Sequence, residues 1–259
     1  MRVFALSDIH IDFPENSGWL ESLSVLDYRD DILILAGDIS DSLARLRWCF
    51  DTLVRRFRRV LYVPGNHDLW VIREGGTDSF GKFRLVCELA QACGVSTGPE
   101  QLGNMSIVPL LSWYDYSFGP PGEQILATWM DFQACVWPAG FGMADVTAYF
   151  LKLNETTVTG YSGAVITFSH FLPRIDLMPR FIPPAHRLVY PVLGTSRLDQ
   201  QIRRIGACIH VYGHSHVNRK VDIDGITYIN NALGYPHEQR IATRQLMCIY
   251  QDGVPGAPC

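Results

Sequence analysis

Asp31-Ile32-Leu33-Ile34-Leu35-Ala36-Gly37-Asp38-Ile39-Ser40-Asp41, residues 31–41, is the stretch on which the fold turns. Its aliphatic run over 31–36 reads as a buried strand, Gly37 lets the backbone turn sharply, and the carboxylates Asp38 and Asp41 follow at once. Beyond them Leu43, Leu46, Phe50, Leu53, Val54 and Phe57 recur at helical spacing, with Ser40 or Asp41 able to cap the first turn. The spacing predicts an amphipathic helix over 41–57, so the unit is strand, polar turn, helix.

The same unit recurs in both directions. Residues 3–6, 60–63, 106–111, 164–168 and 207–212 are further short runs of β-branched and aliphatic residues bounded by Gly, Pro, Asp or Asn, and each predicts a buried strand. Apolar periodicity predicts helices over 79–93, about 143–158 and about 195–205. From about 219 to 250 strand-like segments alternate around the Asp224-Gly225 turn. The pattern begins β-α-β-α and closes as a β meander, which predicts two packed sheets with helices outside. One domain over 1–259 is expected, with insertions near 112–142 and 171–194.

Polar clusters stand at the downstream edges of these runs: Asp8-x-His10, Gly37-Asp38-x-x-Asp41, Gly65-Asn66-His67-Asp68, Ser169-His170 and Gly213-His214-Ser215-His216. Side chains two apart on an extended backbone point the same way, so Asp8 with His10, and His214 with His216, are expected to reach a cation from a strand's end. Asp38 has two oxygens and can bridge a pair of cations, which lie about 3.5–4 Å apart in two-metal sites. Asn66 adds a neutral oxygen ligand, and His67 beside it is left for proton transfer. Without thiolates the set suits hard or borderline metals: Mn, Fe, Zn or Ni. Asp12 and Asp68 extend the motifs, either as supports behind the ligands or as caps of local turns. His210, inside a strand, reads as buried structure.

DxH, GDxxD, GNHD, a lone His and GHxH, in that order from residue 8 to residue 216, resemble the pattern of the calcineurin-like metallophosphoesterase superfamily. The resemblance implies a four-layer α/β/β/α sandwich of two mixed β-sheets flanked by helices. It implies two divalent or transition metal ions, one held by Asp8, His10, Asp38 and His216, the other by Asp38, Asn66, His170 and His214. It implies further that a hydroxide between the ions attacks phosphorus in line, that His67 protonates the departing alkoxide, and that Asp41 hydrogen-bonds and orients His67. The expected activity is hydrolysis of a phosphomonoester or phosphodiester of small-molecule or nucleotide type. The alternative is a binding or scaffold protein that keeps the fold without catalysis, and retention of His67 and the full ligand set favours the enzyme. In protein Ser/Thr phosphatases GDxxD runs directly into Arg-Gly and GNH is followed by Glu. Here Ser42 follows Asp41 and Asp68 follows His67, so that branch's phosphate-clamping arginines have no counterpart. Arg180, Arg187 and Arg197 either take their place or are solvated loop residues.

Two segments break the strand–helix alternation. Residues 112–142 hold Trp113, Tyr114, Tyr116, Phe118, Trp129, Phe132, Trp137 and Phe141, which form either a wall that stacks a planar group or a cap over the sheet edge. Residues 171–194 are rich in proline, with Arg174, Arg180, His186 and Arg187.

Composition excludes other classes. A chain of 259 residues that is 47% hydrophobic can bury a large core, and a net charge of −4 offers no field for general nucleic-acid binding. The run Arg55-Arg56-Phe57-Arg58-Arg59 reads as the solvated C-terminus of a helix. The 7 cysteines form no CxxC pair, and some, such as Cys49 and Cys87, fall in apolar periodic segments, which favours a reducing compartment. No secretory leader precedes the first cluster, and no apolar stretch approaches the ~18 residues of a membrane span, so a cytoplasmic location is expected.

Overall fold

The computed structural model describes residues 1–158 and 160–252. β1 (Arg2–Leu6), β2 (Ile32–Ala36) and β3 (Arg59–Val63) run parallel, with Val3 beside Ile32 and Ile32 beside Arg59. β10 (Met247–Gln251) pairs antiparallel with β1 and completes the sheet β10-β1-β2-β3. The second sheet has the order β4-β5-β6-β7-β9-β8, from β4 (Glu100–Leu102), β5 (Met105–Pro109), β6 (Ala164–Phe168), β7 (Ile209–Tyr212), β8 (Arg219–Ile223) and β9 (Ile226–Asn230). Its strands β5, β6, β7 and β9 are parallel, while β4 and β8 are antiparallel edges.

Both faces of the central strands are covered, which is why their sequences are continuously apolar. On β2, Ile32, Ile34 and Ala36 face the second sheet and pack with Ile107, Ile166, Phe168, Ile209 and Val211. Leu33 and Leu35 face outward onto α2 (Leu43–Val54) and α3 (Ser79–Ala92), meeting Leu46, Phe50, Leu53, Val86 and Ala90. Those α2 residues are the apolar stripe read from the sequence, and Ser42 caps the helix by accepting from Arg45 N–H. Behind the second sheet lie α6 (Met143–Leu153) and α7 (Ser196–Ile205), with Leu151, Leu198, Ile202 and Ile205 against Val108, Val165 and Tyr228. The layers are therefore helix, sheet, sheet, helix, as expected.

Local patterning missed several elements. The chain end is not one meander: β8 and β9 form the hairpin at Asp224-Gly225, but β10 crosses to the other sheet to pair with β1. That partner lies at the opposite end of the chain, and no local pattern encodes it. α1 (Pro14–Ser22) buries only Asn16 and Leu20 and so has no apolar stripe to reveal it. Segment 112–142 contains two short helices, α4 (Glu123–Thr128) and α5 (Asp131–Ala134). Its Trp113, Tyr114, Ile125 and Cys135 are buried against Phe80, Phe83, Val146 and Phe150. The aromatic residues are thus mainly a packed cap, and of the two readings this is the one the chain adopts. Segment 171–194 is largely 3-10 turns, at Ile175–Leu177 and Pro184–Val192. Among the described residues no helix is long and apolar enough to cross a membrane.

Candidate metal centre

Every expected ligand follows the C-terminal end of a parallel strand: Asp8 and His10 after β1, Asp38 after β2, Asn66 after β3, His170 after β6, and His214 and His216 after β7. The two sheets thus aim their strand ends at one place, where ligands of open α/β sheets gather. The convergence does not use the extended i, i+2 geometry expected from sequence. Asp8, His10, Asp38, His214 and His216 all have positive φ (51°, 44°, 58°, 65° and 53°), a left-handed conformation that costs a non-glycine residue about 1–3 kcal/mol. Neighbouring backbone bonds enforce it: Asp8 N–H donates to Gly37 O at 2.9 Å and His10 N–H to Asp38 O at 3.1 Å. Gly37 itself has φ 81°, and a Cβ there would lie 2.7 Å from both Gly65 N and His170 Nδ1.

Asp68 holds two of these loops together. It is fully buried, and its carboxylate accepts from the N–H groups of Asp38, Ile39, Ser40 and Gly65 and from the Tyr62 hydroxyl, at 2.8–3.0 Å. Burial pushes its pKa above the ordinary carboxylate value while these donors pull it back.

The side chains form two adjoining groups, Asp8–His10–His216 and Asp38–His170–His214, and Asp38 also clusters with His10 and His67. Carbonyls and carboxylates fix the tautomers, because an oxygen of either kind can only accept. His170 Nδ1 donates to Ala36 O (2.9 Å), His214 Nε2 to Val192 O (3.0 Å) and His216 Nδ1 to Glu238 (2.6 Å). The opposite ring nitrogens therefore present lone pairs inward. His170 Nε2 stands 3.0 Å from Asn66 Oδ1, 3.2 Å from His214 Nδ1 and 3.4 Å from Asp38 Oδ1. His216 Nε2 stands 3.1 Å from His10 Nε2 and 3.3 Å from Asp8 Oδ1. Acceptors crowded together repel one another unless a positive charge sits among them. Ligands about 2.1 Å from a shared cation are roughly 3.0 Å apart at a right angle and roughly 3.4 Å apart at the tetrahedral angle. The donor set therefore fits metal ions.

Charge balance agrees. Burial pushes His170 and His214 down to about 4, which keeps their lone pairs free at neutral pH. Burial would lower His216 too, but Asp8 and Glu238 carry it up to about 10, so without a cation a proton occupies that place. Burial, reinforced by Asp8 and Asp68, raises Asp38 well above the carboxylate range.

His67 sits beside the groups. Its backbone N–H donates to Asp38 Oδ1 (2.9 Å), its ring stacks on Trp70 at 3.7 Å between centroids, and Nε2 lies 3.4 Å from the Tyr235 hydroxyl. Burial, with His216 and His170 nearby, lowers its pKa well below the ordinary value. The expected hydrogen bond from His67 to Asp41 is corrected: among the described residues none joins them. Arg73 Nε instead donates to Asp41 Oδ1 at 2.7 Å, a charge-assisted bond. Asp41 and His67 still line one depression with Arg73, Trp70 and Tyr235. Asp12 is engaged by Arg45 and Arg73.

A cleft of about 410 Å³ opens over the centre, walled by Trp129 and Met130 from the aromatic insertion and by Val189 and Leu193 from the proline-rich one. Arg180, Arg187 and Arg197 do not line it; the Arg187 guanidinium is turned onto Ile182 O and Arg180 O. Sequence reasoning missed Asp131, Glu238, Trp70 and Tyr235. Asp131, buried, accepts from Asn66, Trp70 and Trp129, and Glu238 accepts from His216 and from Tyr235 N–H. No spacing marks them, since each meets its partner only through the fold.

Residues 1–218 match the family model described as calcineurin-like phosphoesterase. The chain is 29% identical over 267 aligned positions to the acyl-carrier-protein phosphodiesterase PptH of Mycobacterium tuberculosis, an alignment that covers 92% of this chain and 79% of that protein. Its fold superposes on the crystal structure of phosphopantetheinyl hydrolase (PptH) from the same organism with a TM-score of 0.80, at 26% identity and over 98% of each chain.

Proposed function

The chain belongs to the calcineurin-like phosphoesterase family and is a metal-dependent hydrolase of phosphate esters, and we propose that its substrate is a phosphodiester joining a phosphopantetheine-type arm to an acyl carrier protein. The observation that carries this reading is the near full-length likeness to a relative named for that activity. The cleft supports it: Trp129, Met130, Val189 and Leu193 make mostly apolar walls suited to a long, uncharged, flexible arm. At its rim, residues 183–188 are exposed and carry Arg187 with no acidic residue, and Phe181 just before them is 77% exposed.

In this proposal two transition-type cations are held, one by Asp8, His10, Asp38 and His216, the other by Asp38, Asn66, His170 and His214. When bound, they supply Lewis acidity and a nucleophile at neutral pH. Asp38, which clusters with His10 as well as with His170 and His214, would belong to both sets. His67 is the acid for the leaving oxygen: neutral in the free protein, it gains a proton as the negative phosphoryl group raises its pKa, and passes that proton to the departing alkoxide. Trp70 stacked on one face and Tyr235 at Nε2 hold the ring toward the cleft. We place the enzyme in the cytoplasm, where the thiols of Cys49, Cys87, Cys93, Cys135 and Cys248 would stay reduced.

The test is to incubate metal-loaded protein with a holo acyl carrier protein and follow the carrier's mass. Loss of the phosphopantetheinyl group, with turnover of bis-p-nitrophenyl phosphate exceeding that of p-nitrophenyl phosphate, is the expected result. An intact carrier alongside rapid monoester hydrolysis would refute the substrate reading. Metal analysis should give close to two ions per chain.

A further inference from the structure

Asp131 comes from the aromatic insertion rather than from a strand end, yet its carboxylate reaches three parts of the site. It is 2% exposed, and its oxygens accept from Asn66 Nδ2 at 2.8 Å, Trp70 Nε1 at 2.7 Å and Trp129 Nε1 at 2.8 Å. All three partners lie in or beside the cleft.

We propose that Asp131 is the positioning residue that sets which face of the Asn66 amide meets the metal centre, and that through Trp70 and Trp129 it ties this ligand to His67 and to the cleft wall. This rests on the reading of Asn66 as a ligand and His67 as the acid. An amide has two unlike ends and can rotate by half a turn. A carboxylate accepts only, so Asp131 Oδ1 holds the NH₂ end and turns Asn66 Oδ1 toward His170 Nε2, 3.0 Å away. The rotated amide would point its oxygen at the carboxylate and its N–H groups at the cation position. The same Oδ1 holds the Trp70 indole, whose ring lies 3.7 Å from that of His67 at 28°. Oδ2 holds Trp129, which stands edge-on to His214 at 6.0 Å. The insertion thus completes the site instead of merely covering it.

Asp131→Ala removes both accepting oxygens, whereas Asp131→Asn could keep its one oxygen on Asn66 and Trp70 and leave the amide held. Groups that orient metal ligands in this way typically change affinity about 10–100-fold when altered. The experiment is a Mn²⁺ titration of metal-free wild type, Asp131→Ala and Trp129→Phe, read by calorimetry and by electron paramagnetic resonance. The expected result is that Asp131→Ala weakens one of two sites at least tenfold and leaves the other within about twofold, since Asp8, His10 and His216 do not touch Asp131. Trp129→Phe removes the Oδ2 donor but keeps an aromatic ring beside His214, and should leave both sites within about twofold. It also stands in should Asp131→Ala fail to fold, because a Trp129→Phe effect as large as tenfold would mean that general packing, not the amide, is at work. Two sites unchanged in Asp131→Ala, or both weakened alike, would overturn the proposal alone. Wild type that takes up fewer than two ions would overturn the ligand assignment and the proposal with it.

Discussion

Asp68→Asn changes one atom in a position no solvent reaches, and its cost can be worked from the hydrogen bonds. Oδ1 accepts from Ile39 and Ser40 N–H; Oδ2 accepts from Asp38 N–H, Gly65 N–H and the Tyr62 hydroxyl. An asparagine keeps one accepting oxygen. If it takes the Oδ2 place, the N–H groups of Ile39 and Ser40 face an NH₂; if it takes the Oδ1 place, those of Asp38 and Gly65 do, and only the Tyr62 hydroxyl can rotate to accept. Two buried backbone donors are orphaned either way. At about 1–3 kcal/mol each, the loss is about 2–6 kcal/mol, a large part of the ~5–15 kcal/mol that holds a domain together. Urea unfolding of the metal-free protein should show this loss, with the midpoint shifted and the slope kept. Thermal unfolding should shift down by roughly 2–4 °C for each kcal/mol. A loss under about 1 kcal/mol would show that the two loops are not held through this carboxylate.

Gly37→Ala should destabilise by more than the ~1–2 kcal/mol of a left-handed alanine, because its Cβ would meet Gly65 N at 2.7 Å; a smaller loss in urea melts would contradict the packing. His210 is buried and neutral, with its pKa lowered to about 3 by desolvation. Its folded value lies below the unfolded one of about 6.5, so its contribution is present above pH 6.5 and drains away as pH falls toward 3. Between pH 7 and pH 5 wild type should lose about 2 kcal/mol more than His210→Gln, and parallel losses would exclude this assignment. Without metal His216 holds its proton up to about 10, so loading the Asp8, His10 and His216 group at pH 7.5 should release at least about one proton. Calorimetry in buffers of different ionisation enthalpy measures that release, and buffer-independent heats would count against it.

The strands that carry the candidate ligands were legible because each is a short apolar run ended by a turn residue, and burial on both faces leaves no polar interruption to blur it. α2 was legible for the same reason, through its stripe from Leu46 to Leu53. α1 was hidden because it buries an asparagine and one leucine, and the partner of β10 because strand pairing across most of the chain leaves no local trace. The candidate ligand set came from motif order, whereas its backbone conformation did not: i, i+2 reasoning presumed extended residues where Asp8, His10, His214 and His216 are left-handed. Asp41 shows the limit of adjacency, since a motif neighbour of the site was claimed by Arg73 from another loop. Asp131 and Glu238 act on residues distant in sequence, and a lone carboxylate in an aromatic or loop segment has no periodicity to announce it.

Asp8, His10, Asp38 and Asn66 follow strands of one sheet, and His170, His214 and His216 follow strands of the other. Any cation seated among them would be a rivet driven through both leaves of the sandwich, fastening them beside the backbone bridge that Ser7 makes with Ala232 from one sheet to the other. Metal starvation would then act on the protein's lifetime as well as its turnover, because ions that bind only the folded chain add RT ln(1 + [M]/Kd) to its stability. Cells short of the metal would lose the enzyme to proteolysis before its active site had been chemically altered in any way.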